Sequence, residues 1–460
     1  MAKEKCAVFG IRSDKDVFDS IYYGLYSMQH RGQESAGLAV CSNGIRVHKA
    51  MGLVSEVFKN VYLSGKTGIG HVRYSTTGES RIENAQPLLI NYSQGSFAIA
   101  HNGNVFNSEE LRENMESRGG VFSTTSDTEV IAHLIVQEHL KTGDFIKGIK
   151  NSMNQLLGAY SLIILTEDEL IAVRDPKGVR PLVLGKKGDS HVIASESCAL
   201  DVLDYTLVRD VKPSEILVIG DKIKSFFGPR DKPSHCMFEY VYFARPDSIL
   251  NGVSVYAVRK NLGATLAREG KVDADIVTAV PDSGVTSAVG YAIESNISYT
   301  EGLMKNRYIG RTFILPEQNQ RDLGVKVKLN PIRSEVEGKR LILVDDSIVR
   351  GTTLKRIIEL LKGAGASEVH VRISSPPIRH PCLYGIDMQT SKEFIASNKT
   401  VEEICKRIGA DSLVYTSIEG LVKAIGLPRD KLCLACLNGD YPIKDTQTRL
   451  EMNEVLDCRS

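Results

Sequence analysis

Two consecutive carboxylates, Asp345 and Asp346, follow the wholly apolar run Leu341 to Val344 and precede a short loop that ends in Gly351, Thr352 and Thr353. Adjacent acids can accept hydrogen bonds from the hydroxyls of a cis-diol, or hold a Mg²⁺ ion that a ligand's phosphates help to bind. Backbone N–H groups of the loop, Ser347 to Gly351, suit a phosphate together with the Thr352 and Thr353 hydroxyls. The pattern is not GxxxxGK followed by Ser or Thr, so this is a different kind of phosphate loop. The plainer alternative is a strand–helix turn with two solvated acids. Paired acids directly before a Gly-Thr-Thr helix start are uncommon in such turns, which favours a phosphosugar site. Sulfur carries a second chemistry. Cys433 and Cys436 form a CxxC pair, a spacing that serves metal binding or redox exchange. With Cys236 and Cys382 they make four thiols, enough for a structural zinc or a [4Fe–4S] cluster, and spacing alone does not separate the two. Four unrelated core cysteines are the third possibility, which the CxxC disfavours.

These residues need elements to hold them. Leu341 to Val344 reads as a strand buried on both faces. Leu354, Ile357, Ile358 and Leu361 recur at helical spacing. Strand, loop and helix in that order put the loop at the carboxyl edge of a parallel sheet, where ligands of open α/β sheets bind. Ile276 to Val280, the loop Pro281-Asp282-Ser283-Gly284 and a helical run from Val285 repeat the design. The segment from Lys305 to Arg321 is polar and basic, with Gly310 and Pro316 inside it. It reads as a mobile lid that carries Lys305 and Arg307 toward phosphates; a solvated basic loop is the alternative. Near residue 236 short strands and turns give way to strand–helix alternation, with no long linker between.

A chain of 460 residues exceeds one core, so two or more domains are expected. Hydrophobic content of 42% and charged content of 25% are ordinary for a globular protein. A net charge of +1 gives no electrostatic case for nucleic acid or an anionic membrane. The longest apolar runs are strand-sized. The amino end lacks the apolar core of a signal peptide, so a cytoplasmic address follows by default. Nine cysteines in such a chain argue for metal or catalysis rather than disulfides.

Cys6 precedes the strand-like Ala7-Val8-Phe9-Gly10, and by itself reads as a structural core thiol. Four ordered motifs change that reading: QHRGQESAG (Gln29 to Gly37), GHVRYST (Gly70 to Thr76), HNGN (His101 to Asn104) and SDTE (Ser126 to Glu129). GAYS (Gly158 to Ser161), RDPKGVRPL (Arg174 to Leu182) and ASES (Ala194 to Ser197) follow. Over residues 6 to 235 the chain resembles the glutaminase domain of the N-terminal-nucleophile amidotransferases. The resemblance implies an α+β sandwich in which Cys6, as the first residue of the mature chain, attacks the glutamine amide. Its own α-amino group, titrating near pH ~8, is the base. Residues 1 to 5 are then a propeptide cut between Lys5 and Cys6. By position, Arg73 forks onto the glutamine α-carboxylate and Asp127 takes the α-ammonium. The Asn102 side chain and the Gly103 N–H form the oxyanion hole, and Tyr74 gates the pocket. The plainer roles are a surface salt bridge for Arg73, a helix N-cap for Asp127 in the capping-box pattern SDTE, and a turn at Asn102-Gly103.

The stretch VDDSIVRGTT resembles the phosphoribosyl-pyrophosphate (PRPP) signature of type I phosphoribosyltransferases. It implies that residues 236 to 460 are an α/β domain built on a parallel sheet. PRPP would be bound by Asp345, Asp346, Ser347, Gly351, Thr352, Thr353, Lys305 and Arg307, with Mg²⁺ at Ser283, Asp345 and Asp346. Both halves in this order resemble the glutamine-dependent amidotransferases that act on PRPP, pentosyltransferases that open purine synthesis. Glutamine is hydrolysed at Cys6, and ammonia passes internally and displaces pyrophosphate at C1, giving 5-phosphoribosylamine. Some members carry both a propeptide and a [4Fe–4S] cluster, which tips Cys236, Cys382, Cys433 and Cys436 toward iron–sulfur. The resemblance also implies inhibition by purine nucleotides and a homotetramer. Glucosamine-6-phosphate synthase shares the glutaminase half but has no place for VDDSIVRGTT. A PRPP-sensing regulator would need no glutaminase set.

Overall fold

Alternation along the first strand, Ala7–Arg12, sets the layering of the amino half. Ala7, Phe9 and Ile11 pack with Ile21 and Leu25 of the helix Phe18–Ser27. Val8, pointing the other way, packs with Ala100, Ile163 and Ala172 of a second sheet. A strand apolar on both faces must be covered on both. The computed structural model describes residues 6–74, 80–306, 329–386, 388, 394–443, 446 and 450.

Ala7–Arg12 lies inside a seven-stranded antiparallel sheet, between Ser190–Ala194 and Thr67–Arg73. Ala7 stands opposite Val72, which places Cys6 beside Arg73 and Tyr74. A six-stranded antiparallel sheet packs against the first, with Gly95–Val105 paired to Gly158–Leu165. Its outer face is covered by Asp127–Thr142 and Phe145–Met153 through Val130, Ile131, Leu134, Ile149 and Met153. The result is a helix–sheet–sheet–helix sandwich, the α+β architecture the motifs imply.

The carboxyl half is organised by four parallel strands in sequential order: Ile276–Ala279, Arg340–Asp345, Glu368–Ile373 and Ser412–Tyr415. Leu341 and Leu343 face the helices Thr352–Gly363 and Val401–Ile408, while Ile342 and Val344 face Val255–Glu269 and Val285–Ser295. This explains why Leu341 to Val344 carries no polar alternation. Leu354, Ile357, Ile358 and Leu361 are all buried, as their spacing predicts. Each such side chain contributes on the order of 1.5–3 kcal/mol of burial free energy.

The halves share a core. Ala159 and Val179 of the sandwich cluster with Phe238, Tyr240, Leu383, Tyr384 and Leu434. The tail returns to this junction, where His235–Cys236 pairs in parallel with Leu432–Cys433. Immediately after it, Glu239–Phe243 forms a short π-helical turn. Among the described residues no helix is long and apolar enough to cross a membrane.

Candidate active sites

At the amino-half site the Cys6 thiol donates to the Tyr74 carbonyl oxygen at 3.5 Å. Arg73, at the end of Thr67–Arg73, is buried, and one terminal nitrogen pairs with Glu34 Oε1 at 2.5 Å. It is therefore no surface ion pair. The Asn102 side-chain amide donates to Ser195 Oγ at 3.4 Å, and Ser195 Oγ also accepts from Val8 N at 2.9 Å. One serine thus ties the HNGN strand to the strand that follows Cys6. Gly103 has φ +154°, and a Cβ there would lie 1.9 Å from the Ala159 oxygen. Only glycine fits this backbone.

Asp127 is the first residue of its helix, capped by Ser126, whose hydroxyl accepts from Thr128 N. The expected capping box does not form. Ser126 N donates to Thr124 Oγ1, while the Glu129 carboxylate accepts from Ser123 N and Thr124 N at 2.8 and 2.7 Å. Glu129 instead folds the preceding loop onto the helix. Asp127 accepts from Val105 N at 3.0 Å and lies 3.5 Å from His101 Nδ1. Burial opposes its ionisation, but His101 and the Val105 and Thr128 amides outweigh burial and hold its carboxyl below the usual range. An ionised, buried carboxylate can take an ammonium group.

At the second site Asp345 and Asp346 are both buried at the carboxyl edge of the parallel sheet. Burial, then the neighbouring Asp346 charge, pushes the Asp345 carboxyl well up. Two buried acids side by side invite a cation or hydroxyl donors. Ser283 Oγ lies 3.5 Å from Asp345 Oδ1, so the two loops predicted to cooperate do meet. Gly351, at φ +76°, starts the helix Thr352–Gly363, and no side chain caps its first turn. Those amides, with Thr352 and Thr353 beside them and Ser347 bonded to Asp346, face the phosphate problem a helix start solves. The Lys305 amino group reaches Asp282 Oδ2 at 2.5 Å, which places this cation against the Pro281–Gly284 loop. Arg307 and the expected lid beyond it lie outside the described residues, as do residues 1–5.

Cys236, Cys382, Cys433 and Cys436 are each buried and line one small apolar cavity with Val179, Tyr384 and Ile386. Burial pushes the Cys236 thiol up to about 12 and raises Cys433 and Cys436 as well, with the other thiols adding to the effect. Such thiols ionise only against a compensating positive centre. Among the described residues no three His, Cys, Asp or Glu side chains are grouped to share one metal ion. The four cysteines converge on this one cavity.

Several participants carry no local sequence signal. Glu34 and Ser195 lie within quoted motifs, yet only the sheet register shows them at Arg73 and Asn102. Ser374 and Ser375 donate their N–H groups to the Asp345 and Asp346 carbonyls at 2.9 Å. Their hydroxyls are buried with no hydrogen-bond partner among the described residues.

Fold and sites together define a glutamine amidotransferase domain joined to a phosphoribosyl transferase domain. Residues 71–202 and 248–375 match the families of those two descriptions. A Methanocaldococcus jannaschii amidophosphoribosyltransferase is 55% identical, covering 95% of this chain and 97% of its own. The Bacillus subtilis amidophosphoribosyltransferase is 52% identical over 95% and 94% of the two chains. A solved B. subtilis glutamine PRPP amidotransferase, complexed with ADP and GMP, superposes with a TM-score of 0.90 at 49% identity, covering 96% of this chain and 98% of that one. The chain belongs to the amidophosphoribosyltransferase family.

Gly103→Ala keeps the backbone N–H but puts a Cβ 1.9 Å from the Ala159 oxygen, so the strand must shift and glutamate release from glutamine is expected to fall by about 10²-fold. Ammonia-dependent pyrophosphate release from PRPP, assayed in parallel, should stay near wild type; an unchanged glutaminase rate would remove Gly103 from the site.

Proposed function

We infer that the two sites perform one coupled reaction. Glutamine is hydrolysed at Cys6, and the ammonia released attacks C1 of PRPP. The new C–N bond forms as the bond to pyrophosphate breaks, giving 5-phosphoribosylamine, the first step of purine synthesis. The supporting observation is the pairing, on one chain with a shared core, of the Cys6–Asn102–Gly103–Asp127 arrangement with the buried Asp345–Asp346 edge. A PRPP-sensing regulator needs only the second of these.

In this reading Arg73 and Asp127 hold the α-carboxylate and α-ammonium of glutamine, opposite charges on opposite partners. The Asn102 amide and the Gly103 N–H stabilise the tetrahedral oxyanion. The α-amino group of Cys6 takes the thiol proton once residues 1–5 have been removed. Most free ammonia is ammonium at neutral pH and a poor nucleophile, so internal transfer has a chemical rationale. At the second site Asp345 and Asp346 accept from the ribose hydroxyls, while Ser347 and the Gly351–Thr353 helix start receive the 5-phosphate. Lys305 and Arg307 neutralise the pyrophosphate. Ser283, Asp345 and Asp346 would hold Mg²⁺, which supplies charge neutralisation for the leaving group.

Cys236, Cys382, Cys433 and Cys436 line one apolar cavity, which supports a shared metal centre, and a [4Fe–4S] cluster is the group proposed there. Bound there, it would cross-link the tail to the junction. Purine nucleotides are the proposed inhibitors. The B. subtilis relative was solved with ADP and GMP, and a nucleoside monophosphate carries the same ribose 5-phosphate as PRPP. A cytoplasmic homotetramer is the proposed assembly.

Cys6→Ala should abolish glutamine-dependent pyrophosphate release and leave ammonia-dependent release intact. Glutamine-dependent turnover by that variant would refute the nucleophile assignment. Intact-mass and metal analysis of anaerobically purified protein should show Cys6 as the first residue, with about four iron and four sulfide per chain. Stoichiometric zinc, or an active chain beginning at Ala2, would overturn these two assignments separately.

A further inference from the structure

We propose that Glu239 is a positioning residue for glutamine hydrolysis: acting through Arg31, it fixes the backbone of Cys6. The amino-half site is then completed by a carboxylate from the carboxyl half. The proposal rests on the reading of Cys6 as nucleophile.

Arg31 is buried, and its Nε donates to the Cys6 carbonyl oxygen at 3.2 Å. Its two terminal nitrogens donate to the two Glu239 oxygens at 3.0 and 2.7 Å, a bidentate grip, and one of them also donates to Glu196 Oε1 at 2.5 Å. The guanidinium is planar, so carboxylates that fix its terminal edge also fix the direction of its Nε–H. Glu196 alone leaves that plane free to pivot about one contact; the paired oxygens of Glu239 remove the freedom. Burial alone would favour loss of the Arg31 proton, but Glu239 and Glu196 outweigh it and push the guanidinium pKa up.

Glu239 is itself a fixed post. It opens the π-helical turn Glu239–Phe243, and Arg259 locks that turn by donating to the Tyr240 and Ala244 carbonyls at 3.0 and 2.7 Å. Arg180 reaches Glu239 Oε1 at 3.3 Å from the far side. Glu196 is shared more widely, accepting from Arg245 N and Ser248 Oγ at 2.8 Å and lying 2.8 Å from His30. Where the Cys6 carbonyl sits determines where its thiol and α-amino group stand relative to Asn102 and Gly103. A misplacement of about 1 Å at such a centre costs roughly 10²-fold in rate.

In the full-length enzyme Glu239→Gln is expected to lower kcat for glutamate release about tenfold or more. KM for glutamine and ammonia-dependent pyrophosphate release should stay within about twofold of wild type, with slower alkylation of Cys6 by iodoacetamide and partial recovery in Glu239→Asp. Arg31→Lys should show the same split. The double variant should be no worse than Arg31→Lys alone, because both changes act through one chain of contacts. A wild-type glutaminase kcat in Glu239→Gln, additive losses in the double variant, or equal loss of glutamine- and ammonia-dependent activity would each overturn the proposal. If Glu239→Gln does not accumulate folded, Arg31→Lys and Glu239→Asp carry the same comparison. A Cys6→Ala variant that still hydrolyses glutamine defeats the nucleophile reading itself. Loss in Cys6→Ala with an unaffected Glu239→Gln defeats only this inference.

Discussion

A buried guanidinium between two carboxylates of different origin is the interaction on which the molecule's organisation turns. Arg31 belongs to the sandwich, Glu196 to the edge of the same domain, and Glu239 to the turn that opens the second half. Charges this deep are tolerable only as a matched set, and removing one partner of such a pair typically costs about 3–5 kcal/mol. The set therefore specifies how the halves dock more than it adds net stability. Around it the apolar contacts of Ala159 and Val179 with Phe238, Tyr240 and Leu383 exclude water. The Asn104 side chain, one residue past Gly103, donates to the Leu383 carbonyl at 2.8 Å, so the HNGN strand itself leans on the second half.

The second constraint is electrostatic and has the opposite sense. Asp345 and Asp346 are buried side by side, and burial and then the Asp346 charge push the Asp345 carboxyl up. The sheet edge places two acids, a hydroxyl from Ser283 and an uncapped helix start in one region, groups suited to the proposed ligand's hydroxyls and phosphates. The amino-half site is the reverse case. Its groups are already paired, with Arg73 on Glu34 and Asp127 on the Val105 amide, and these pairs hold the side chains in place. At the junction, burial raises the Cys236, Cys433 and Cys436 thiols, which favours their protonated form.

Much of this was legible in the chain because it is local. Leu341 to Val344 announces a doubly covered strand, Leu354 to Leu361 a one-sided helix, and the acids between them fall at the sheet edge by necessity. The motif order likewise points to the sandwich. What was not legible depends on register and docking. SDTE has the letters of a capping box, yet Glu129 bonds backward to Ser123 and Thr124, because a tertiary loop competes for the same carboxylate. Arg31 sits in a quoted motif without a visible role, since its partner lies 208 residues away. Lys305, read as part of a lid, makes an ion pair with Asp282 that no spacing rule could announce.

The most direct measurement uses glutamine labelled with ¹⁵N at the amide, PRPP and an excess of unlabelled ammonium at neutral pH, with the nitrogen isotope of trapped 5-phosphoribosylamine as the readout. Internal transfer predicts product nitrogen that remains almost entirely ¹⁵N as the ammonium concentration is raised. Product whose label is diluted toward the isotope ratio of the bulk ammonium would contradict the coupling of the two sites.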